Sequence, residues 1–224
     1  VAPGWTYGFP EVVGREAVAG AARVSNPGCY STGFIALLAP LVRAGRLPAD
    51  WPYTCNAVSG YSGGGKAMIA RFEDDREIAW RGYALELGHK HVPEMQRWCG
   101  LDHPPLFSPA VIAAHRGMAV EVPLPLNAMP GAASAGALRD ALAEFYAGSP
   151  VVTVAKEAPA DGEILLRASA AASDRMELHV LASADGGHAR LLALLDNLGK
   201  GASGAAVQSL NLMAGLEETA GLRL

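Results

Sequence analysis

Apolar side chains repeat along this chain with two periods, and the change from one to the other divides it into elements. Phe34, Leu37, Leu38 and Leu41 recur at helical spacing. They predict a helix from about Tyr30 to Arg43, disturbed by Pro40 and ended near Gly45. Tyr53, Cys55, Ala57 and Ser59 alternate with Thr54, Asn56 and Val58, the period of a strand. Pro93 starts a short helix over Glu94–Cys99, and Leu138, Leu142, Phe145 and Tyr146 mark another that stops at Gly148. Strands are expected at Met118–Leu124, where Pro123 demotes the end to an edge, and at Val151–Lys156, Glu163–Arg167, Met176–Ala182 and Ala189–Leu195. The last of these also fits a helix. Ala205–Leu216, behind a Gly/Ser-rich turn, reads as the final helix. At the front, Val1–Arg15 reads as loop, and Glu16–Ala22 as a short helix leading to a strand at Arg23–Ser25. Strands gathered together, with helices between long loops, imply an α+β fold with a mixed, largely antiparallel sheet packed with helices.

Composition narrows the function. At 224 residues the chain makes one large domain or two small ones. Half of it is hydrophobic and 18% is charged, which excludes disorder. A net charge of −4 offers nothing basic to track a phosphate backbone, so nucleic acid is not an expected partner. The longest apolar run, Phe34 to Val42, is too short to span a bilayer, so no membrane partner is expected either. The N-terminus carries no signal-peptide pattern, and it starts at Val1 rather than Met, through processing or a missing upstream segment. Three cysteines make no disulfide framework, which points to a reducing, cytoplasmic setting.

The sharpest local feature is Asn26-Pro27-Gly28-Cys29-Tyr30-Ser31-Thr32-Gly33. Cys29 falls on the first turn of the predicted helix, where free N–H groups and the positive end of the helix dipole favour a thiolate. The same donors can hold an oxyanion developing on a carbonyl that the sulfur attacks. Gly28 and Gly33 are expected to leave space for a substrate. Without this placement, Cys29 would read as a small buried hydrophobe, as Cys55 and Cys99 do.

Gly88-His89-Lys90-His91-Val92-Pro93-Glu94 is the second constellation. In an extended segment His89 and His91 project to one side, with Glu94 close behind. A neutral imidazole can take a proton from a thiol or give one to a nascent alkoxide, and a carboxylate can fix its tautomer. His-x-His is also a fragment of metal sites, but no third or fourth ligand stands at short spacing, so no metal is assigned. His103, His115, His179 and His188 show no partner pattern.

Two glycine-rich segments follow. Val58-Ser59-Gly60-Tyr61-Ser62-Gly63-Gly64-Gly65-Lys66 leaves a strand and lets its backbone approach a flat ring or an anion, although it is neither a Walker loop nor a GxGxxG. Asn197-Leu198-Gly199-Lys200-Gly201-Ala202-Ser203-Gly204 opens the last helix with small residues. No dinucleotide fingerprint of the strand–GxGxxG–helix type occurs in the chain.

Together these pieces resemble the N-acetyl-gamma-glutamyl-phosphate reductases of arginine biosynthesis, and more closely their shorter type. The matching segments are Ser25–Tyr30, Asn56–Lys66, His89–Met95 and Asn197–Gln208, in the family's order. Ser31 departs, since the family usually has proline or a small apolar residue there. The resemblance implies a catalytic domain similar to that of glyceraldehyde-3-phosphate dehydrogenase over residues 29–196. Residues 1–28, including Trp5-Thr6-Tyr7-Gly8-Phe9-Pro10-Glu11, would be the tail of an NADP-binding Rossmann domain most of which is absent. Residues 197–224 would be a loop and helix returning to that domain.

The resemblance also implies roles. Cys29 attacks the acyl carbon of N-acetyl-glutamyl 5-phosphate, and NADPH reduces the resulting thioester to the semialdehyde. His89 is the acid–base partner. His91 and Glu94 orient it or hold substrate. Ser59, Gly60, Gly63, Asn197 and Gly201 line the nicotinamide. Lys66 and Arg71 are candidates for the substrate's carboxylate or phosphate on charge alone. A homo-oligomer, dimer or tetramer, is expected. Other readings of the same residues are a Cys–His hydrolase or acyltransferase, a reductase like aspartate-semialdehyde dehydrogenase, and a non-catalytic binding module.

Overall fold

The computed structural model describes residues 2–224. In chain order its strands and α-helices are β1 (Thr6–Tyr7), α1 (Pro10–Val13), α2 (Arg15–Ala19), β2 (Val24–Ser25), α3 (Cys29–Arg43), β3 (Thr54–Gly60), α4 (Gly65–Asp74), β4 (Trp80–Gly82), α5 (Val92–Cys99), β5 (Leu106–Ile112), β6 (Met118–Leu124), α6 (Ala135–Phe145), β7 (Val152–Val154), β8 (Met176–Ala182), β9 (Ala189–Leu195) and α7 (Gly204–Met213). A 3₁₀ turn, Tyr61–Gly64, links β3 to α4, and a π-helical turn, Gly199–Ser203, precedes α7.

Seven strands form one sheet in the order β4-β5-β3-β6-β9-β8-β7. The β5–β3 and β8–β7 pairs are parallel and the other four are antiparallel, so the α+β expectation with a mixed, largely antiparallel sheet holds. β1 and β2 make a separate parallel pair. In β3 the alternation read from sequence is the alternation of burial: Cys55, Ala57 and Ser59 are buried while Asn56 is exposed. Pro123 pairs with Arg190 of β9, whereas β3 stops opposite Glu121. The missing N–H therefore falls where β6 has lost one neighbour.

The helix α3 is the centre of the core. Every residue from Tyr30 to Leu41 is buried, so the helix is covered on all sides, and from Phe34 to Leu41 it is apolar all round. Pro40 does not break it. Proline removes the donor that would bond the carbonyl four residues back, that of Ala36. Tyr146 at the end of α6 replaces that donor, its hydroxyl giving a 2.9 Å bond to the Ala36 oxygen. Gly33 lets the helix approach the sheet, because a Cβ there would lie 2.7 Å from Cγ2 of Val120. It makes room for packing, not for substrate.

Three expectations are corrected. Val1–Arg15 is not all loop: β1 and α1 form within it, tied to β2 and to the core through Phe9 and Val12. Glu163–Arg167 is not a strand. Its alternation arises because Ile164 and Leu166 lean onto the outer sheet face beside Leu192 and Leu194, where no strand is free to pair. The glycine-rich segment Gly60–Gly65 is not an open loop: it winds through the 3₁₀ turn and starts α4. β4 and β5 had no prediction. Pro109 interrupts the pattern of β5 at a point just before β4 begins to pair with it.

Candidate active site

Gly28 adopts extended angles (φ −70°, ψ 144°) and α3 starts at Cys29, so the sulfur leaves from the first helical residue. Around it opens a cavity of about 400 Å³ at the C-terminal end of β3. Its walls come from all four segments singled out in the sequence: Asn26 to Tyr30, Ser59 to Gly65 except Tyr61, His89 to His91, and Asn197, Leu198, Gly201 and Ala202. Arg81, Tyr83, Met68 and Val111 complete the lining.

Cys29 is half-buried and is a free thiol. Burial pushes its pKa up; the N–H groups of Tyr30 and Cys29 and the Lys90 ammonium pull it down, and Glu94 adds to the rise. The net shift is upward. The helix mouth therefore acts in the expected direction and is outweighed by desolvation, so the resting group is a thiol. Cys55 and Cys99 are fully buried, and burial raises both further.

The histidines lie in a turn, not in an extended segment: Val92 N–H bonds the His89 carbonyl at 3.0 Å. Both rings still face the cavity, with centroids 4.6 Å apart. The backbone N–H of His91 donates to Nδ1 of His89 at 3.1 Å. Neutral His89 therefore carries its proton on Nε2 and enters the cavity as a donor, not as the base expected to take the Cys29 proton. Burial lowers its pKa, helped by Lys90. His91 is buried and its pKa is pushed down to about 4 by burial, against the pull of Glu94. Its ring fills the space beside Gly28, where a Cβ would sit on Nε2. Gly28 thus admits a histidine, not a substrate.

Glu94 does not line this cavity. Its Oε1 accepts from the Tyr7 hydroxyl at 2.7 Å and from Gly28 N–H at 3.0 Å, and Oε2 accepts from Ser31 Oγ at 2.7 Å. The carboxylate caps α3 from a neighbouring helix, with the departing Ser31 as one partner, and borders a second cavity of about 530 Å³ behind the Asn26–Gly28 turn. Lys66 and Arg71 are also absent from the lining; both are exposed on α4. The cations that reach the cavity are Arg81 and Lys90, and among the described residues no carboxylate lines it. Sequence reasoning missed Arg81 and Tyr83, which only the short β4 and the turn after it bring in. Lys90 lay in plain view between the two histidines.

The glycine-rich wall is held by side chains from the far end of the chain. Asn197 accepts from Gly117 N–H through Oδ1 at 2.9 Å and donates through Nδ2 to Ser62 Oγ at 3.0 Å. The Ser62 hydroxyl bonds the His115 carbonyl. Ser59 is buried, and its hydroxyl donates to the Gly60 carbonyl at 3.0 Å. Gly60 is required by packing, since a Cβ would lie 2.7 Å from the Arg116 backbone. Gly65 (φ +73°) has open space where a side chain would stand, whereas Gly64 is required by packing, since a Cβ on it would lie 2.5 Å from Cβ of Met68, and a Cβ on Gly63 would press on Ser59 Oγ at 3.2 Å. A flat ring can lie against such a surface with the sulfur opposite. Gly201 backs the cysteine: a Cβ on it would come 3.1 Å from Cβ of Cys29.

Comparison with known proteins agrees with this architecture. Residues 29–197 match the family described as semialdehyde dehydrogenase, dimerisation domain. Among solved structures, aspartate semialdehyde dehydrogenase II from Vibrio cholerae superposes with a TM-score of 0.66 at 19% identity, over 94% of this chain and 68% of that one. A probable aspartate-semialdehyde dehydrogenase from Pseudomonas aeruginosa gives 0.62 at 17%, over 96% and 70%. These two speak to the fold. In sequence, the N-acetyl-gamma-glutamyl-phosphate reductase of Trichormus variabilis is 46% identical over 99% of this chain and 73% of its own length. That of Brucella ovis is 49% identical over 96% and 72%. With such identity across nearly its whole length, the chain belongs to the N-acetyl-gamma-glutamyl-phosphate reductase family.

Proposed function

We propose that this chain carries the catalytic machinery for reducing N-acetyl-L-glutamyl 5-phosphate to N-acetyl-L-glutamate 5-semialdehyde and phosphate. The observation that carries the reading is the meeting of Cys29, His89, His91 and a flat glycine wall in one cavity whose charged lining is cationic. An acyl phosphate that also carries a free carboxylate is anionic at both ends, and Lys90 and Arg81 suit it where Lys66 and Arg71 do not reach. Glu94 is better suited to shaping the turn that presents Cys29 than to holding substrate.

Cys29 loses its proton to water and its sulfur forms a bond to the acyl carbon, while phosphate leaves with the electron pair of the C–O bond. The N–H groups at the mouth of α3 and the Nε2 proton of His89 hydrogen-bond the acyl oxygen as it gains charge. A nicotinamide, NADPH on this reading, would supply the hydride for the thioester formed on Cys29. Ser59, Gly60, Gly63 and Gly201 would line the ring, and Asn197 would act through Ser62 by keeping that wall in place. The C–S bond then breaks, the aldehyde carbonyl forms, and the sulfur leaves as thiolate. The Cys29 thiolate regains the proton it released, and the departing phosphate oxygen takes up one more, which is the proton the reduction consumes overall.

The two ends of the chain, residues 1–28 and 197–224, would form the part that meets the cofactor. They are already joined to each other through Glu11 and Lys200. A homo-oligomer is part of the proposal, supported by the dimerisation domain that the sequence matches, and so is a reducing, cytoplasmic setting. Among the described residues no helix is long and apolar enough to cross a membrane.

The test is the reverse reaction, run on the full-length enzyme: semialdehyde, phosphate and NADP should yield NADPH, and Cys29→Ser should abolish it. Turnover by the serine variant would remove the nucleophile. Preference for aspartate semialdehyde over the N-acetylated glutamate compound would overturn the substrate, and rapid acyl-ester hydrolysis without NADP would favour a hydrolase.

A further inference from the structure

Lys200 lies in the middle of the π-helical turn that closes the cavity, and the chemistry above does not use it. It is 1% exposed and points away from the cavity, into the seam between the two chain ends. Its Nζ donates to both oxygens of Glu11, at 2.9 and 3.0 Å, and to Oε1 of Gln208 at 2.5 Å, which occupies all three ammonium protons. Gln208 in turn donates to Glu11 Oε1 at 2.8 Å and to Glu218 Oε1 at 2.7 Å. The Phe9 ring lies 5.1 Å from Nζ. Two segments that the sequence analysis singled out, Trp5–Glu11 and Asn197–Gln208, thus supply one buried ion-pair cluster.

Such a pair is weak as a source of stability, because stripping water from both ions costs about as much as their attraction returns. What it fixes is geometry. The N–H groups of Gly201 and Ser203 bond carbonyls five residues back, Asp196 at 3.0 Å and Leu198 at 2.9 Å, so the turn is one residue wider than an α-helical one. That turn places Lys200 on the seam while Gly201 and Ala202 line the cavity. Gly201 abuts Cβ of Cys29, and the Ala202 carbonyl accepts from Asn26 Nδ2 at 3.0 Å.

We propose that Lys200, locked to Glu11 and Gln208, is a positioning residue: it holds the π-helical turn against Cys29 and so fixes the direction in which the sulfur meets the acyl carbon. The proposal rests on Cys29 being the nucleophile. It assigns work to a residue that touches neither substrate nor sulfur.

Lys200→Met alone would strand the Glu11 carboxylate in the interior and test folding, so the informative protein is Glu11→Leu/Lys200→Met, which removes both charges together. Its melting temperature is expected to stay within a few degrees of the parent. Its kcat should fall by about 100-fold, the scale of a displacement near 1 Å at a reacting atom. KM for semialdehyde and phosphate should hold, because Arg81, Lys90 and the histidines are untouched. Gly201→Ala, which presses the turn off Cys29 without disturbing the pair, should show the same split between kcat and KM. A folded double variant with parental kcat overturns the proposal. If the double variant does not fold, parental kcat in Gly201→Ala overturns it instead. Cys29→Ser run alongside separates the two readings: a dead serine variant beside a fully active double variant sinks only the positioning role, whereas an active serine variant sinks the nucleophile itself.

Discussion

Cys29 sits between two opposing influences, and its chemistry follows from their balance. The helix mouth and Lys90 favour the thiolate, while burial and Glu94 oppose it, and the outcome is a pKa above the ordinary 9.0. His89, with a lowered pKa and its Nδ1 already bonded to the chain, is neutral at pH 7 and cannot form an ion pair with the sulfur. Labelling of Cys29 by iodoacetamide should therefore rise by about tenfold per pH unit from about pH 6 to about pH 9, tracking the thiolate fraction. Mass spectrometry can follow it, with Cys55 and Cys99 as buried, unreactive controls in the folded protein. A rate already flat below pH 7 would show a preformed thiolate and contradict this balance. Cys29, His89 and His91 were legible at this scale because turn, helix start and His-x-His spacing are local. Lys66 and Arg71 fall outside the cavity for the complementary reason. A charge close to a motif in sequence can sit on the outer face of a helix, and α4 puts both in solvent.

At the scale of elements, α3 shows how a local rule is satisfied from a distance. Pro40 should weaken this helix, but the carbonyl it orphans, that of Ala36, is served by Tyr146. Tyr146→Phe would leave a buried acceptor unpaired and should cost about 1–3 kcal/mol in urea unfolding. In a Pro40→Ala background the alanine N–H can take over, so the same substitution should cost less than half as much. Equal costs in the two backgrounds would refute the link between Tyr146 and the proline. The same logic explains Glu94. Its place near the histidines suggested a partner for them, yet three donors from the Cys29 side claim its oxygens. β3 and β8 were readable from periodicity, since Cys55, Ala57 and Ser59 and then Met176, Leu178 and Val180 are buried on one face; β9 buries Leu191 and Leu192 on opposite faces, which is why its pattern also fits a helix. The stretch 163–167 has the period of a strand and no free neighbour, so pattern alone could not decide it.

For the molecule as a whole, the buried ionisable groups predict acid sensitivity in two windows. His91 titrates near 6.5 when unfolded and at about 4 when folded. The unfolded chain therefore binds its proton first, and stability declines as pH falls from 6.5 to about 4. The Glu11 carboxylate, buried but held below its ordinary 4.5 by Lys200 and Gln208, has the opposite origin and the same sign. Its contribution is full above about pH 4.5 and is lost as pH falls through its folded value. Thermal melts should show a falling melting temperature across both windows. Glu11→Leu/Lys200→Met should remove the lower one while keeping the upper. A profile flat between pH 6.5 and 4 would mean that His91 is accessible to protonation in the folded state.

The amino-acid sequence determined where the reactive groups stand along the chain and which elements carry them. A tight turn before a helix, an alternating strand and a glycine run are set by backbone preferences acting over a few residues. Tertiary structure decided the rest: that Cys29 rests as a thiol, that Arg81 and Lys90 supply the cavity's charge, that Glu94 caps a helix, and that Lys200 meets Glu11. Desolvation and ion pairing depend on what packs against a group, and here the partners are distant in sequence, 66 residues apart for Gly28 and Glu94 and 189 for Glu11 and Lys200.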